Sequence, residues 1–432
     1  MTIGDVNLRV ALEQPGAVFC GSETDIRGQV FVDYSARQNI PELFGPVEVF
    51  VVLSGRAKSK ITVKNTNGHY VQRIAHRGRA PLVFTKVLVY QGPIRMISGQ
   101  PQMFNFAIRF PDRVQAQQTD TFKDDPRFDT NPQGPLPPTM VSDHYNSECF
   151  VEYRLGAEAQ MPSIDVKIHN FGGEDEGLHI NYEQPRVPLS VVQAARLAPM
   201  TEVVHISNEF LLPEGQRPNG FKEKTKAFFT HHAFPEFVAN VSIDGFANLQ
   251  LGEPVRLEVR ALVDKQKTTA VELPEITIAH AEIAIRSCTE LRSDGGSLSM
   301  RDSADYEKVV ELQLTTRDQR PYSKANDYTK EFLTEPLRGM PSTFSTFNIS
   351  RTYTMDIEIT VEAATKTKKM KFKDLPVRVL PPLAYETNNG PAMYTNADPY
   401  GKMPAMHIDA DPYGTGMPPS YQAPPGYDEK KW

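Results

Sequence analysis

Apolar and polar residues alternate along most of the chain, and this period of two constrains the fold more than any other feature. The pattern is clear in IRGQVFVDYS (Ile26–Ser35), VRLEVRALV (Val255–Val263) and RTYTMDIEITVEA (Arg351–Ala363), which are rich in β-branched and aromatic residues. Such segments, bounded by Pro and Gly, are typical of half-buried strands. Their number predicts an all-β chain of two consecutive immunoglobulin-type β-sandwiches. Helical periodicity is scarce, and VVQAARLA (Val191–Ala198) is expected to form one short helix.

Three stretches interrupt the alternation. Residues 111–140 contain six prolines, a density that a central strand does not tolerate, and are expected to form a long surface loop. The polar segment Leu211–Lys224 holds two Pro and two Gly and is the candidate hinge. The chain from Leu383 onward is too poor in large aliphatic residues to build a core, which predicts disorder. The predicted domains are residues 1–212, residues 213–382 and a disordered tail over residues 383–432.

Composition and charge exclude several classes of protein. The net charge of −6 and the pI of about 6.0 argue against a nucleic-acid binder. The three cysteines (Cys20, Cys149 and Cys288) lie far apart, so neither a disulfide framework nor a C-x-x-C metal or redox pair is expected. No segment has the length and apolar character of a signal peptide or a membrane-spanning helix. We therefore expect a soluble cytoplasmic protein.

The sequence predicts no catalytic, metal or cofactor site. It lacks the Gly-x-Ser-x-Gly elbow, the His-Glu-x-x-His helix motif and the P-loop. The turn SDGGSLS (Ser293–Ser299) has no phosphate-binding lysine. The adjacent His231 and His232 would point to opposite faces of a strand, which is a poor arrangement for metal ligands. A non-enzymatic protein is therefore expected.

The tail carries the short motif with the clearest chemistry. Within MPPSYQAPPGY (Met417–Tyr427) the tetrapeptide Pro-Pro-x-Tyr occurs twice. A polyproline II helix has three residues per turn, so the first proline and the tyrosine of each motif lie on one ridge. WW-type domains grip such ridges in an aromatic groove. The predicted WW-ligand residues are Pro418, Pro419, Tyr421, Pro424, Pro425 and Tyr427.

The spacing of the two motifs predicts how they are used. Tyr421 and Tyr427 are six residues apart, which is two polyproline turns or roughly 19 Å. Two WW domains bound side by side would crowd each other. The repeat is therefore expected to raise the local concentration of ligand for one WW domain at a time.

Three basic clusters are candidate anion contacts. The first lies in TKTKKMKFK (Thr365–Lys373), and the others are FKEKTK (Phe221–Lys226) and QRIAHRGR (Gln72–Arg79). Such clusters bind anionic lipid or acidic and phosphorylated cargo segments. A solvated hairpin is the alternative for the first cluster, because it stands between two strands. The candidate lipid or cargo contacts are Lys366, Lys368, Lys369, Lys371 and Lys373.

The order of these segments resembles the α-arrestins, the family of arrestin-domain-containing adaptors, and within it the fungal members. In the first half, SETDIRGQVFVDYS (Ser22–Ser35), FAIRFP (Phe106–Pro111) and LPPTM…SECFVEYRLGAEA (Leu136–Ala159) resemble the family's strand motifs. In the second half, GMPSTFSTFNISRTYTMDIEITV (Gly339–Val361) and LPVRVLPP (Leu375–Pro382) do so. The first turn, CGSETD, departs from the family's glycine position, and FGGEDEGLHINYEQPRVPLS has no clear counterpart.

The resemblance implies a function. The family's Pro-Pro-x-Tyr motifs recruit WW-domain HECT-type E3 ubiquitin ligases, and its arrestin-like sandwiches recognise membrane cargo such as a transporter or receptor. The chain is thus expected to act at the plasma membrane or endosomes, with peripheral membrane association, to promote ubiquitination and endocytosis of its cargo. One alternative is an arrestin-fold trafficking or signalling scaffold, of the retromer or pH-signalling type, that needs no ligase. The other is an enzyme or ligand-binding β-protein.

Overall fold

A computed structural model gives the fold of most of the chain. The residues that it describes are 5–36, 42–67, 70–115, 122, 124–131, 133–161, 166–169, 177–218, 234–293, 302–313, 315–316 and 327–384. In these ranges nearly all regular structure is β-strand, which confirms the predicted all-β class.

The first half of the chain forms two sheets. One has the strand order β1-β3-β6 and the other β2-β10-β8-β4-β5, with β7 and β9 also paired to β8. All pairings are antiparallel except the one between β10 and β2. The strands are β1 (Asp5–Leu12), β2 (Val18–Cys20), β3 (Ile26–Ser35), β4 (Glu42–Asn67), β5 (Tyr70–Ile97), β6 (Gln102–Ile108), β7 (Met140–His144), β8 (Ser147–Met161), β9 (Val166–His169) and β10 (Leu178–Glu183).

The second half repeats this plan with two further sheets. Their orders are β11-β12-β14-β18-β17 and β13-β21-β20-β15-β16, with β19 paired to β20. The strands are β11 (Met200–Ser207), β12 (Glu236–Gly245), β13 (Asn248–Gln250), β14 (Pro254–Val263), β15 (Ile276–Arg292), β16 (Asp302–Gln313), β17 (Thr315–Thr316), β18 (Asp327–Pro336), β19 (Phe344–Ser345), β20 (Ile349–Ala363) and β21 (Lys366–Leu380).

Each pair of sheets encloses its own apolar core, built from the inward positions of the alternating strands. In β3 every second residue is buried, and Val30 and Val32 are fully enclosed in the first core. Ile283 and Ile359 are equally enclosed in the second core. Burial of one such side chain contributes about 1.5–3 kcal/mol, so the period of two is the main source of stability.

The predicted helix is present but displaced. Helix α1 spans Leu189–Gln193 and begins directly after Pro188, whose fixed φ suits the start of a helix. Short 3₁₀ turns follow at Glu209–Leu211 and Glu214–Gln216. Strand β11 precedes residue 212 and pairs with β12, which follows that residue. The domain boundary at 212/213 stays a prediction.

The proline-rich segment at residues 111–140 contains no strand in its described part before Met140, where β7 begins, and it is not confined to the surface. Phe122 and Phe128 are buried, and the guanidinium carbon of Arg292 lies 5.0 Å and 4.5 Å from their ring centroids. The expectation of a surface loop is therefore wrong for these two residues, because a buried cation from the second half offers their rings a favourable contact. It is also wrong for Val114 and Leu136, which are buried in the first core.

Candidate functional site

The predicted WW-ligand residues lie outside the described part of the chain. Pro418, Pro419, Tyr421, Pro424, Pro425 and Tyr427 all belong to residues 385–432, which the structure does not describe. The same holds for FKEKTK (Phe221–Lys226) and for His231 and His232. Their roles stay predictions from the sequence.

The lysine-rich segment Lys366–Lys373 forms the start of β21, so its side chains divide between the two faces of a hairpin. The β20–β21 turn is Ala364-Thr365, and both residues have positive φ, 46° and 63°. Lys369 and Lys371 lie on the outer face, on either side of the buried Met370. Lys366 and Lys368 lie an even number of residues from Met370, so they project from the same face as Met370. This face is opposite to the one that carries Lys369 and Lys371. The five lysines therefore do not form one surface.

A single carboxylate forms ion pairs with two outer lysines of this strand, Lys369 and Lys371, but not with the exposed Lys373. Glu358 of β20 stands directly opposite Lys371 and forms ion pairs with Lys371 and with Lys369, whose Nζ lies 3.0 Å from its Oε1. Hydrogen bonds from Lys371 and Lys369 lower the pKa of Glu358 to about 2. This carboxylate offsets much of the positive potential that the lysine sequence suggests.

A second and larger basic surface lies on the hairpin of β4 and β5. Alternate residues of both strands point to one side of the sheet, away from the core positions Ala57, Ile61 and Ala80. We call this side the basic hairpin face. It consists of Arg56, Lys58, Lys60, Lys64, Arg73, Arg77 and Arg79.

Like charges oppose each other across this hairpin. The register places Lys58 opposite Arg79, Lys60 opposite Arg77 and Lys64 opposite Arg73. Directly opposed side chains have Cβ atoms about 5 Å apart, and like charges at that separation destabilise the sheet. The fold therefore tolerates electrostatic repulsion within three lysine–arginine pairs of one hairpin.

Two carboxylates of strand β8 form ion pairs with this face. On the neighbouring strand β8, Glu152 forms an ion pair with Arg56, and Glu148 lies 2.7 Å from the Nζ of Lys60. Strand β5 is the last strand of its sheet. Within the described ranges, neither Arg73 nor Arg77 forms an ion pair with a carboxylate. Positive charge is thus concentrated along β5.

The inner side of the same hairpin is anchored to the second half of the chain. Ser59 stands opposite Gly78 and donates a hydrogen bond to the carbonyl of Arg292 at 2.6 Å. The Nδ2 of the fully buried Asn348 donates to Ser59 Oγ at 3.0 Å and to the carbonyl of Gly78 at 3.4 Å. Gly78 has no space for a side chain, because a Cβ would lie 2.7 Å from the carbonyl oxygen of Arg292. These contacts fix the position of Arg77 and Arg79 on either side of it.

The described residues offer little for nucleophilic or metal chemistry. Burial raises the pKa of the Cys149 thiol to about 12 and that of Cys20 to about 11, so both stay protonated at neutral pH. In the described part of the chain, no group of three or more His, Cys, Asp or Glu residues is placed to hold a metal ion. No helix within those ranges has the length and apolar character needed to cross a bilayer.

No protein-family model and no curated protein matches the sequence. Among solved structures, the chain is similar to squid arrestin, with 10% identity and a TM-score of 0.28 over 89% of this chain and 96% of that one. It is also similar to Spo0M, a sporulation control protein from Bacillus subtilis, with 14% identity and a TM-score of 0.22 over 61% of this chain and 81% of that one.

The sequence identified only part of the basic hairpin face. QRIAHRGR contains Arg73, Arg77 and Arg79, whereas the cations of RAKSKITVK (Arg56–Lys64) join them only through strand pairing. The alternation of cations in RAKSKITVK was the available signal, since alternate residues of a strand share a face. The pairing of the two segments depends on the register of β4 with β5, which no local pattern specifies.

Proposed function

We propose that this protein is an α-arrestin-like adaptor that brings a WW-domain HECT-type E3 ubiquitin ligase to membrane cargo, a transporter or receptor. The observation that carries the proposal is the pair of Pro-Pro-x-Tyr motifs at Pro418–Tyr421 and Pro424–Tyr427, joined to an all-β chain. The resemblance of the strand motifs to the α-arrestins supports it. The adaptor would work in the cytoplasm and at the plasma membrane or endosomes.

The proposed mechanism is proximity. The β-rich part of the chain holds the cargo while the tail holds the ligase, so the ligase meets the cargo's lysines at a high effective concentration. The protein itself forms and breaks no covalent bond. Ubiquitin on the cargo then directs its endocytosis or sorting.

The chemistry of the motif explains why it suits a WW domain. Proline has a fixed φ, so a Pro-Pro segment loses little conformational entropy when it binds as a polyproline II helix. The tyrosine adds a large apolar contact and a hydroxyl group. Phosphorylation of Tyr421 or Tyr427 would place charge in that contact and is expected to weaken binding.

The decisive variant is Tyr421→Ala combined with Tyr427→Ala. It is expected to abolish co-precipitation of WW-domain ligases and to stop downregulation of the cargo. Tyr400→Ala with Tyr413→Ala is the matched control, because these tail tyrosines follow a single proline in Asp-Pro-Tyr and should leave both readouts intact. If the double motif variant still captures ligase and clears cargo, the adaptor proposal is wrong. If cargo sorting persists while ligase binding is lost, a trafficking or signalling scaffold is the better account.

A further inference from the structure

The basic hairpin face extends beyond the main sheet. Strand β8 pairs with β4 only over Glu48–Ile61, whereas β4 and β5 continue together to Asn67 and Tyr70. The outer part of the hairpin is thus a two-stranded ribbon, which carries Lys64 opposite Arg73. From Arg56 to Lys64 the face is about 27 Å long at the usual rise of a strand. Its cations form two parallel columns, and Lys64 and the column on β5 are exposed.

An aromatic residue lies among the cations at the end of this face. Tyr145, in the turn between β7 and β8, is 76% exposed. Lys64 Nζ donates a hydrogen bond to Tyr145 Oη at 3.0 Å and lies 4.9 Å from the centroid of its ring. An exposed aromatic side chain beside lysine and arginine is typical of surfaces that rest in the headgroup region of a membrane.

The charge distribution favours a planar anionic partner. Asp143, Glu148 and Glu152 lie on β7 and β8, so the column on β5, at the edge of the sheet, is farthest from them. A phosphorylated peptide is usually held by arginines that converge on one phosphate. Here the cations are spread at the regular spacing of strands along an open face, an arrangement that can contact many headgroups at once.

We propose that the basic hairpin face docks the protein onto membranes that contain anionic phospholipid, with β5 and the ribbon end against the headgroups. This inference is independent of ligase recruitment, because it concerns a different part of the chain. Docking would place the cargo-binding body at the membrane surface. The bulk of the attraction is electrostatic and decreases as ionic strength rises.

Co-sedimentation of the full chain with vesicles tests the proposal. The vesicles are phosphatidylcholine alone, and phosphatidylcholine with phosphatidylserine at a three-to-one ratio. Wild type is expected to bind the second and not the first. Arg73→Ala/Arg77→Ala/Arg79→Ala should lower the vesicle partition coefficient about tenfold or more. Lys369→Ala/Lys371→Ala/Lys373→Ala removes the same net charge from another hairpin and should change it less than about twofold, because two of these lysines are already paired with Glu358.

A third variant separates a membrane from a phosphopeptide as the partner. Arg73→Lys/Arg77→Lys/Arg79→Lys keeps the charge but loses the bidentate geometry of the guanidinium group. Vesicle binding should survive this change nearly in full. The alanine variant should keep the thermal unfolding midpoint of wild type, so that a loss of binding is not a loss of fold. The proposal is overturned by full vesicle binding in the alanine variant, or by an equal loss in the Lys369/Lys371/Lys373 variant. It is also overturned if a phosphoserine peptide binds this face while vesicles do not.

Discussion

Two hairpins of this protein are rich in lysine and arginine. In one hairpin the partner strand supplies a carboxylate, and in the other it supplies further cations. In the β20–β21 hairpin, the register sets Glu358 against Lys371, and Lys369 reaches the same carboxylate. In the β4–β5 hairpin, the register sets lysine against arginine at three successive charged positions. A segment with five lysines is therefore partly neutralised, whereas a segment with three arginines gains cations from its partner strand. The number of charged residues in a segment does not by itself determine the electrostatic potential of the hairpin. The charged side chains of the paired strand contribute as much.

The largest expected effect comes from the anchor beneath the basic hairpin face. Gly78→Val should lower the free energy of unfolding by about 3 kcal/mol, because its Cβ would collide with the carbonyl oxygen of Arg292 and with Ser59 Oγ. Gly92→Val in the same strand is the control, since a Cβ there meets only the Tyr90 side chain, at 3.1 Å or more. Urea unfolding measures both. Equal losses at the two glycines would show that the hairpin is not anchored at Gly78.

Asn348→Ala tests the same anchor from the second half of the chain. The Asn348 amide is the donor for Ser59 Oγ and the Gly78 carbonyl, and its loss should cost about 2 kcal/mol. Asn348→Asp should cost at least as much, because the carboxylate would bring a charge and no donor into the buried site. A cost near zero in the alanine variant would mean that these hydrogen bonds do not hold the hairpin in place.

The comparison between the two hairpins predicts stability changes of opposite sign. Arg77→Ala removes a repulsion with Lys60 and should stabilise the protein by about 0.5 kcal/mol. Lys371→Ala removes an ion pair with Glu358 and should destabilise it. Both changes should shrink in high salt, because the groups are at the surface. Chemical denaturation at low and high ionic strength is the measurement, and effects of the same sign would contradict the distinction.

The smallest expected effect is a dependence on pH in the β20–β21 hairpin. The pKa of Glu358 is lowered from 4.5 to about 2, so its stabilising contribution is present above pH 4.5 and is lost as the pH falls through 2. Glu358→Gln should therefore be less stable than wild type at neutral pH, and the difference should vanish in acid. Glu362→Gln, an exposed change in the same strand, is the control. A difference between wild type and Glu358→Gln that persists at pH 2 would contradict this role.

Much of the fold could be predicted from the sequence, because burial follows the local period of two. IRGQVFVDYS and RTYTMDIEITVEA form β3 and most of β20 as expected, with alternate residues in the cores. Pairing could not be predicted in the same way. The β20–β21 turn has positive φ at Ala364 and Thr365, where Asn and Gly are the usual residues, so no local signal marked it. The position of the turn sets the register of β20 with β21, so the sequence alone did not indicate that Glu358 lies opposite Lys371.

The two candidate sites also differ in whether they depend on local sequence or on strand pairing. The Pro-Pro-x-Tyr motifs are local, since each spans four residues, and the WW-ligand role proposed for them rests on the sequence alone. The basic hairpin face joins residues up to 23 positions apart, Arg56 and Arg79, and depends on the register. Phe122 and Phe128 likewise became buried against Arg292, which is distant in the sequence.

Proximity labelling in cells tests the adaptor proposal most directly, with the full chain as wild type, as Tyr421→Ala/Tyr427→Ala and as Arg73→Ala/Arg77→Ala/Arg79→Ala. Wild type is expected to label both WW-domain ligases and membrane proteins. The tyrosine variant should lose the ligases and keep the membrane proteins, and the arginine variant should lose the membrane proteins. Undiminished labelling of WW-domain ligases by the tyrosine variant would contradict the account.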